Sequence, residues 1–339
     1  MKAVTIVEPG KTEIIEIEQP EPGPQEVLVR VRALGLCGTD YRTYLGANPL
    51  TGYPRIPGHE IAGEIVQKGD RVPARFAEGM AVTLSPYTAC GRCSACLAGR
   101  VNCCRYNQTL GAQRDGAAVE YLAVPHDSLL TADTLSFEQL AMVEPFSVGW
   151  HAATRGDVGP GDTVLVFGCG VIGLGAQVAS RSKGAEVIAV DIDNSKLELA
   201  RRIGAAHLIN SSEKSLEDEA LRLTDGHGPR VVIEAVGLPQ TFRQAVDLVS
   251  FAGRVVYIGY SKKPVEYETA AFVLKELDIR GSRNALKEDF QSVVTLFEQG
   301  GVDLQPVVTH RFDLLQIGQA LQLWKSHPER VTKILTIAS

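Results

Sequence analysis

The chain has 339 residues, enough for two domains that each bury a core, since one domain takes roughly 150 residues. Its formal net charge is −6, from 34 basic and 40 acidic residues spread without long runs, which excludes a nucleic-acid or membrane-surface footprint. The N-terminus MKAVTIVEPGKTE has no hydrophobic signal core, and no apolar run reaches the roughly 18 residues that span a bilayer, so we expect a cytoplasmic protein.

The first part of the chain, residues 1–36, has the pattern of short strands separated by turns. Val27, Val29 and Val31 alternate with one leucine and two arginines, which is the period of a half-buried strand. A Pro-rich turn precedes this run. The pattern predicts a β-barrel or β-sandwich rather than a doubly wound unit.

Two short motifs then bring together residue types that bind metals. Cys37 lies in GLCGTD (35–40), followed by a hydroxyl and an acid, and His59 lies next to Glu60 in GHE (58–60). Taken alone, such a cysteine is more often a buried structural thiol, and a lone histidine is more often an ordinary hydrogen-bonded residue. Their motif neighbours make both of them candidate ligands.

A cluster of cysteines follows in one loop. Cys90, Cys93 and Cys96 have the spacing C-x2-C-x2-C, and the pair Cys103-Cys104 follows, so that a fourth thiolate could come from either residue of that pair. Four thiolates suit a closed tetrahedral zinc site, which is structural because it leaves no position for water or substrate. The alternative is a set of redox-active or unpaired thiols. Seven cysteines in a reducing compartment favour metal over disulfides.

Residues 110–155 lead towards the middle of the chain. A strand-like run at 119–124 is followed by a predicted helix at 137–142. Glu144 comes next, before Pro145 and among apolar residues, a setting that is not typical of an ordinary solvated charge. The stretch 147–155 is predicted to be a connecting helix.

Residues 163–191 have the order of a dinucleotide-binding unit: strand, glycine-rich turn, helix, strand and acid. The apolar run TVLVF (163–167) leads into GCGVIG (168–173), which matches G-x-G-x-x-G. Gly168 permits the sharp turn, Gly170 lets the backbone approach a pyrophosphate, and Gly173 lets the helix pack closely on the strand. The alternative is a glycine-rich turn in some other α/β unit.

The phosphates would bind at the helix N-terminus, which Val171 and Ile172 begin, because its N–H groups and dipole attract anions. Asp191 ends the second strand, where its carboxylate can accept hydrogen bonds from both ribose hydroxyls. The same charge would repel a 2′-phosphate, so NAD is predicted over NADP. Lys196, in the helix that follows, completes this part of the cofactor site.

The α/β alternation continues after this unit. Strands at 207–210, 231–234, 255–259 and 277–281 alternate with helices, one of which carries the solvated charge run EKSLEDEALR. Val236 and Ile258 lie at strand ends, where a doubly wound sheet binds its ligand, so both are predicted to contact the cofactor. The tail, with one helix and short strands, is predicted to pack back on the first domain.

Together these motifs resemble the zinc-dependent medium-chain alcohol and polyol dehydrogenases, along essentially the full length. GHEIAGEIVQKGDRV (58–72) fits that family's zinc signature G-H-E-x2-G-x5-G-x2-V at every defined position. The resemblance implies a GroES-like β-rich catalytic domain, residues 1–148 and 285–339, with a structural zinc lobe at about 86–106. It also implies an inserted Rossmann domain with a doubly wound parallel sheet, residues 149–284, that binds NAD.

For the metals, the resemblance implies two zinc ions per subunit, one catalytic and one structural. The structural ion would take Cys104 as its fourth ligand. The catalytic ion would take Cys37, His59 and a glutamate; this is Glu144 in sorbitol-dehydrogenase-like members, while Glu60 can sit in or near the coordination sphere. Asp40 would orient the imidazole, and Thr39 or Glu60 would move the proton of the substrate hydroxyl.

The substrate subgroup is indicated by NCC (102–104), EPF (144–146) and GSRN (281–284), which look most like bacterial dehydrogenases of sugar acids such as L-galactonate or L-gulonate. Arg283 with Asn284, and also Arg42 or Arg114, are then candidates to bind a distal carboxylate or hydroxyls, since guanidinium binds carboxylate bidentately. Surface arginines are the alternative for the last two. Arg42 stands where the family often has histidine, and GMAV (79–82) replaces a usual GDRV turn; the second change looks structural.

We therefore expect a zinc- and NAD-dependent oxidoreductase that oxidises a secondary alcohol of a sugar acid to the keto acid by hydride transfer. A polyol such as sorbitol or galactitol, or L-threonine, is the alternative substrate, and a non-catalytic NAD-binding sensor is the alternative of a different class. The expected partners are a small-molecule substrate and further copies of the chain, as a homodimer or homotetramer built partly by sheet extension, with neither nucleic acid nor membrane.

Overall fold

The computed structural model describes residues 1–338. These residues form two compact units: unit 1 is Met1–Glu144 together with the described chain from Phe290 onward, and unit 2 is Pro145–Asp289. The sequence predicted limits at 148/149 and 284/285. The chain instead passes between the units inside two continuous helices, which explains why no loop-like composition marks either passage.

Strands predominate in the first part of the chain, and strands alternate with helices in the part that forms unit 2. The strands are β1 (Lys2–Glu8), β2 (Lys11–Glu16), β3 (Glu26–Leu36), β4 (Glu60–Lys68), β5 (Ala81–Leu84), β6 (Tyr121–Pro125), β7 (Leu129–Thr131), β8 (Thr163–Phe167), β9 (Glu186–Asp191), β10 (His207–Asn210), β11 (Val231–Glu234), β12 (Arg254–Tyr257), β13 (Asp278–Gly281), β14 (Val308–Asp313) and β15 (Lys333–Ile337). The α-helices are α1 (Gly38–Tyr44), α2 (Ser94–Leu97), α3 (Phe137–Ala141), α4 (Val143–Arg155), α5 (Val171–Ser182), α6 (Asn194–Arg202), α7 (Leu216–Arg222), α8 (Pro239–Leu248), α9 (Ala270–Leu274), α10 (Lys287–Glu298) and α11 (Ile317–Ser326).

Unit 1 is built on a seven-stranded sheet in the order β14-β15-β3-β4-β5-β7, with β6 also paired to β3. The long strand β3 is its centre, because it pairs with β4 along one edge and with both β6 and β15 along the other. The predicted alternation is present where Val29 and Val31 are buried and Arg30 and Arg32 are half-buried. Leu28 is buried as well, so both faces are covered at that end of the strand. β15 comes from the chain tail, as predicted.

Unit 2 is a parallel six-stranded sheet in the order β10-β9-β8-β11-β12-β13, the doubly wound arrangement expected from the sequence. Its core is made of aliphatic strand residues such as Leu165, Ile188, Val232 and Val255, all fully buried. In a doubly wound sheet, ligands bind outside the carboxyl ends of the strands. The fold therefore places the ends of β8, β9 and β11 where a dinucleotide would bind.

Helix α4 begins earlier than the predicted connecting helix. It starts at Val143 rather than at Ser147, so that Glu144 lies in its first turn and not in a loop. Pro145 is compatible with this position, because the first N–H groups of a helix have no intrahelical partner. Within residues 1–338, no helix has both the length and the apolar character to cross a membrane.

Candidate metal and dinucleotide sites

The first metal-binding group is assembled where β3 ends and β4 begins. These strands are antiparallel, with Gly35 paired to Glu60, so the end of one strand faces the start of the other. Cys37 is the N-cap residue of α1, directly after β3, and His59 directly precedes β4. Backbone pairing thus brings together two motifs that are about twenty residues apart in the sequence.

A buried carboxylate fixes both of these loops. Asp40 Oδ2 accepts a hydrogen bond from the Cys37 N–H (2.9 Å), and Oδ1 accepts one from the Gly58 N–H (2.9 Å). Gly58 has φ +99°, a backbone conformation that favours glycine. Both oxygens of Asp40 thus bond to the segments that carry Cys37 and His59, which is compatible with the predicted orienting role, while His59 Nδ1 has no hydrogen-bond partner among residues 1–338.

The donor set fits a catalytic zinc ion. Ligand atoms of Cys37, His59 and Glu60 all lie within 4.8 Å of one another, and the histidine and glutamate are buried. Burial would lower the pKa of His59, but the adjacent Cys37 sulfur outweighs it and the pKa rises to about 10. Burial would likewise raise the pKa of the Cys37 thiol, but the imidazole lowers it. Thiolate, imidazole and carboxylate are the ligands that zinc takes in catalytic sites.

Glu144 lies close to this group but outside it. Its carboxylate is buried, accepts a hydrogen bond from the Tyr87 hydroxyl, and acts electrostatically on His59. Burial raises the pKa of Glu144 despite the opposing effect of the imidazole. The structure therefore brings Glu60 directly to the metal-binding group and holds Glu144 beside it, so both remain candidate ligands. Tyr87 was not predicted, because no motif connects it to a glutamate 57 positions away.

Glu60 also forms a buried ion pair with Lys333, the first residue of β15. The lysine Nζ further donates to the Leu36 carbonyl at 3.1 Å. Burial lowers the pKa of Lys333 to about 8. Sequence reasoning missed this lysine, although a single cation in the apolar run of the last strand was a usable signal. Thr39 was predicted, and its hydroxyl lies 3.8 Å from the Cys37 sulfur.

The second metal-binding group is the cysteine lobe. Sulfur atoms of four cysteines lie within 4.8 Å of one another: Cys90, Cys93, Cys96 and Cys104. Backbone N–H groups of Cys90 and Tyr106 both donate to the Cys104 sulfur at 3.3 Å, and backbone N–H groups lower the pKa of Cys93 to about 6. Four sulfur ligands supported in this way fit a closed zinc site, and Cys103 is not one of them.

The glycines of the dinucleotide turn have conformations that are compatible with their predicted roles. Gly168 has φ +91°, and Gly170 is the N-cap residue of α5. A Cβ atom at Gly173 would lie 1.9 Å from the Gly168 carbonyl oxygen, so only glycine lets the helix approach the turn so closely. Val171 and Ile172 form the first turn of α5, where free N–H groups can receive phosphate oxygens.

A cavity of about 420 Å³ lies beside this turn, at the carboxyl ends of β8, β9 and β11. Five predicted cofactor residues line it: Gly168, Gly170, Asp191, Lys196 and Val236. Val171, Ile172, Gly173 and Ile258 do not line it. Sequence reasoning missed Ile192, which lines the same cavity beside the acid and is 71% exposed.

Asp191 is held rigidly at the end of β9. Its Oδ2 accepts a hydrogen bond from the Cys169 N–H at 2.8 Å, and Oδ1 accepts from the N–H groups of Ile192 and Asp193. Each carboxylate oxygen has two lone pairs, so Oδ2 retains acceptor capacity towards a ribose hydroxyl. The predicted role of Asp191 is therefore compatible with its geometry.

The candidate substrate residues differ in their surroundings. Arg42, on α1, and Arg283 are exposed, and Asn284 is half-buried with φ +52°. Arg114 is half-buried, burial lowers its pKa, and its Nε has no hydrogen-bond partner among the described residues. Arg42 and Arg114 belong to unit 1, whereas the other two belong to unit 2.

Comparison with known proteins gives two family matches. A sequence model described as "Alcohol dehydrogenase GroES-like domain" matches residues 23–134, and one described as "Zinc-binding dehydrogenase" matches residues 171–299. An L-galactonate-5-dehydrogenase of Escherichia coli K12 is 35% identical over 305 residues, covering 90% of this chain and 89% of that protein. A sorbitol dehydrogenase of Bacillus subtilis 168 is 34% identical over 329 residues, covering 95% and 93%.

A solved structure gives a further match over the whole fold. It is described as the short chain alcohol dehydrogenase RspB of Escherichia coli CFT073 in complex with NADH. It is 33% identical to this chain, covers 99% of both chains, and has a TM-score of 0.92.

The choice between Cys103 and Cys104 can be tested by zinc content. With two metal-binding groups, the unmodified protein should hold two zinc ions per chain, and Cys104→Ser should reduce this to one because a thiolate ligand is lost. Cys103→Ser is the matched control and should retain both ions. Elemental analysis of the purified proteins measures the outcome; the opposite pattern would assign the fourth ligand to Cys103.

Asp191→Ala should weaken the preference for NAD over NADP. The variant loses a charge-assisted hydrogen bond to ribose and the repulsion of a 2′-phosphate, so the ratio of kcat/KM values should fall about tenfold. Asp193→Ala removes a neighbouring charge and should change the ratio less than threefold. Equal use of both cofactors by the unmodified protein would contradict the assignment.

Proposed function

Since this chain belongs to the zinc-binding dehydrogenases with an alcohol dehydrogenase GroES-like domain, we propose that it oxidises a secondary alcohol of a sugar acid, of the L-galactonate or L-gulonate type, to the keto acid. It is an NAD-dependent zinc oxidoreductase acting on alcohols or polyols. The feature that supports an acidic substrate is Arg114, a half-buried guanidinium on a loop whose backbone packs against Gly58, the residue before His59.

Different residues would bind the zinc ion, bind NAD and accept the substrate proton. Cys37, His59 and a glutamate would hold the catalytic zinc, and Asp191 with the glycine turn would hold NAD. When bound, zinc lowers the pKa of a coordinated hydroxyl and NAD accepts the hydride. Thr39, half-buried beside Cys37, is placed to accept the proton that the hydroxyl loses.

Glu60 is the alternative proton carrier. Its carboxylate lies within the metal-binding group, and the ion pair with Lys333 balances its charge in a buried position. Removing either partner of such a buried pair would leave an uncompensated charge. The pair therefore keeps a carboxylate available at the metal in either of its two proposed roles, as ligand or as proton carrier.

The loop that carries Arg114 packs directly on the backbone before His59. The N–H of Ala117 donates to the Gly58 carbonyl at 3.0 Å, and a Cβ atom at Gly116 would lie 2.4 Å from that same oxygen. This contact keeps the arginine loop close to the metal-binding group within unit 1. A half-buried guanidinium with an unsatisfied Nε suits the carboxylate of a sugar acid, which it can bind bidentately.

The other proposed substrate residues carry less structural support. Arg283 and Arg42 are exposed, as a surface arginine would be, and Asn284 is held in a left-handed backbone conformation. They remain proposed contacts for the distal hydroxyls. A polyol or L-threonine is the alternative substrate, and the relative named a sorbitol dehydrogenase supports the polyol. The non-catalytic sensor is set aside, because family membership and the assembled zinc-binding residues indicate an enzyme.

Initial rates of NADH formation across hexonates, hexitols, pentitols and threonine test the substrate class. We expect kcat/KM to be highest for a hexonate. Arg114→Ala should lower that value by about 10- to 100-fold, the effect of losing a charge-assisted contact of about 1.5–3 kcal/mol. The same variant should leave kcat/KM for a hexitol within threefold, because a hexitol has no carboxylate.

The matched control is Arg75→Ala, which removes an exposed unit 1 arginine that lies over the Phe76 ring. It should leave both substrates unaffected. A dominant polyol or threonine rate would retain the zinc chemistry and reject the acidic substrate, and an equal loss on both substrates would reject a carboxylate contact by Arg114.

We also propose that the chain forms a homodimer or homotetramer. β13 lies at one edge of the unit 2 sheet, and an edge strand offers unpaired N–H and C=O groups to another strand. Next to it, Val273 and Leu274 are 80% and 74% exposed, and Ile279 is also exposed. Sheet extension between two copies would cover these groups. The cytoplasm remains the proposed location, and none of the seven cysteines, all among the described residues, forms a disulfide.

Light scattering coupled to gel filtration tests the assembly. The unmodified protein should elute with at least the mass of a dimer, and Leu274→Asp should shift it towards the monomer by placing a charge in an apolar interface. Leu97→Asp, equally exposed but on the cysteine lobe of unit 1, is the control and should still give at least a dimer. A monomeric unmodified protein would refute the proposal.

A further inference from the structure

A buried carboxylate ends the central strand β11 of unit 2. Glu234 is fully buried, although β11 otherwise consists of valine and isoleucine. β11 lies between β8 and β12, in a parallel register that sets Glu234 opposite Phe167 and Tyr257. A buried charge is costly unless hydrogen bonds compensate it, so the partners of this carboxylate indicate its purpose.

One carboxylate oxygen holds the loop that follows the strand. Oε1 accepts hydrogen bonds from the N–H of Val236 (2.9 Å), the N–H of Gly237 (2.7 Å) and the hydroxyl of Thr241 (2.7 Å). These donors belong to the segment between β11 and α8 and to the first turn of α8. The Thr241 hydroxyl also lies 2.9 Å from the Leu238 carbonyl oxygen. The carboxylate oxygen therefore connects the start of this loop to the first turn of α8.

The other groups of Glu234 reach a second segment. Its backbone carbonyl accepts from the N–H groups of Ile258 (2.9 Å) and Gly259 (3.1 Å), which follow β12. Its Oε2 is buried with no hydrogen-bond partner among residues 1–338. A Cβ atom at Gly259 would lie 2.5 Å from that oxygen, so the side chain fits only because residue 259 is glycine. The carboxylate therefore lies between the segment after β11 and the segment after β12, in contact with both.

The first of these segments forms one wall of the dinucleotide cavity. Ala235, Val236, Leu238 and Thr241 all line the cavity of about 420 Å³. Val236 and Leu238 are 41% and 54% exposed, so their own packing does little to hold the segment in place. The Ala235 N–H donates to the Phe167 carbonyl at 3.1 Å, and the bonds to Glu234 Oε1 hold the residues that follow.

We propose that Glu234 is a positioning residue for the dinucleotide: its buried Oε1 holds residues 235–241 in the shape that NAD(H) binds. The carboxylate acts through the loop and does not itself line the cavity. The role depends on where the acceptor oxygen lies and not on its charge. It concerns the cofactor alone, so it does not depend on which alcohol is the substrate.

Two substitutions of opposite character test this role. Glu234→Gln retains an acceptor oxygen at the same reach and removes the charge, so the NADH dissociation constant should stay within threefold of the unmodified value. Glu234→Asp retains the charge and withdraws the acceptor by about one C–C bond, ~1.5 Å. The N–H groups of Val236 and Gly237 then lose their acceptor and the Thr241 hydroxyl keeps only the Leu238 carbonyl, so NADH should bind about tenfold more weakly. Fluorescence titration of NADH on the zinc-loaded protein measures both values.

The control is Asp162→Asn, at the opposite end of the same sheet. Asp162 accepts hydrogen bonds from the Gly159 N–H and from Arg254, and it is also mostly buried. This variant should leave NADH affinity within threefold whatever its thermal stability. In Glu234→Asp, KM for NAD should rise while KM for the alcohol stays within threefold, a division that a general loss of folding would not give.

Each possible set of NADH affinities either supports the positioning role of Glu234 or overturns it. Weakening above threefold in Glu234→Asp, with both Glu234→Gln and the control below threefold, supports the proposal. Unchanged binding by Glu234→Asp overturns it, and so does equal weakening by Glu234→Gln, because charge would then matter rather than position. Equal weakening by the control would assign the effect to unit stability, which also overturns it.

Discussion

The metal-binding group of unit 1 depends on one carboxylate that accepts hydrogen bonds from two backbone N–H groups. Asp40 connects the start of α1 to the turn before β4, and these two segments carry Cys37 and His59. Antiparallel pairing of β3 with β4 brings the segments near each other, but pairing alone does not orient their ends. Because the tie is made through backbone groups, the ligands are positioned by the fold itself, which limits the reorganisation that metal binding requires.

The two metal-binding groups differ in how their charge is balanced. In the cysteine lobe, N–H groups of nearby residues donate to the sulfur atoms, and four thiolates fill a closed site. In the other group, one thiolate and one imidazole lie beside two buried carboxylates with separate partners, since Lys333 pairs with Glu60 and Tyr87 bonds to Glu144. In such a mixed set, other residues hold the carboxylates, so one ligand position at the metal can be exchanged for substrate. A catalytic site needs such a position, and a structural site does not.

What the sequence predicted, and what it could not, follows from the range of the contacts. The glycine turn, Asp191 and the cysteine lobe were predicted because each lies in a short contiguous segment, and the doubly wound sheet because its strands and helices alternate regularly along the chain. Lys333 and Tyr87 lie 273 and 57 positions from their carboxylate partners, and no local sequence pattern predicts such pairs. Asp40 was predicted to orient the imidazole, but its hydrogen bonds from the N–H groups of Cys37 and Gly58 depend on the pairing of β3 with β4, which no single motif encodes.

Carboxylates that accept hydrogen bonds from backbone N–H groups also occur at the dinucleotide site. Asp191 accepts hydrogen bonds from N–H groups of the glycine turn and of the segment after β9. Glu234 accepts hydrogen bonds from the N–H groups of Val236 and Gly237. At the end of a parallel strand the ladder stops, so the N–H groups that follow need another acceptor. A carboxylate can satisfy several of them at once, whereas a neutral side chain or water would leave the loop more freedom. Acids at strand ends, half-buried in Asp191 and buried in Glu234, thus shape the loops that line the dinucleotide cavity before any ligand binds.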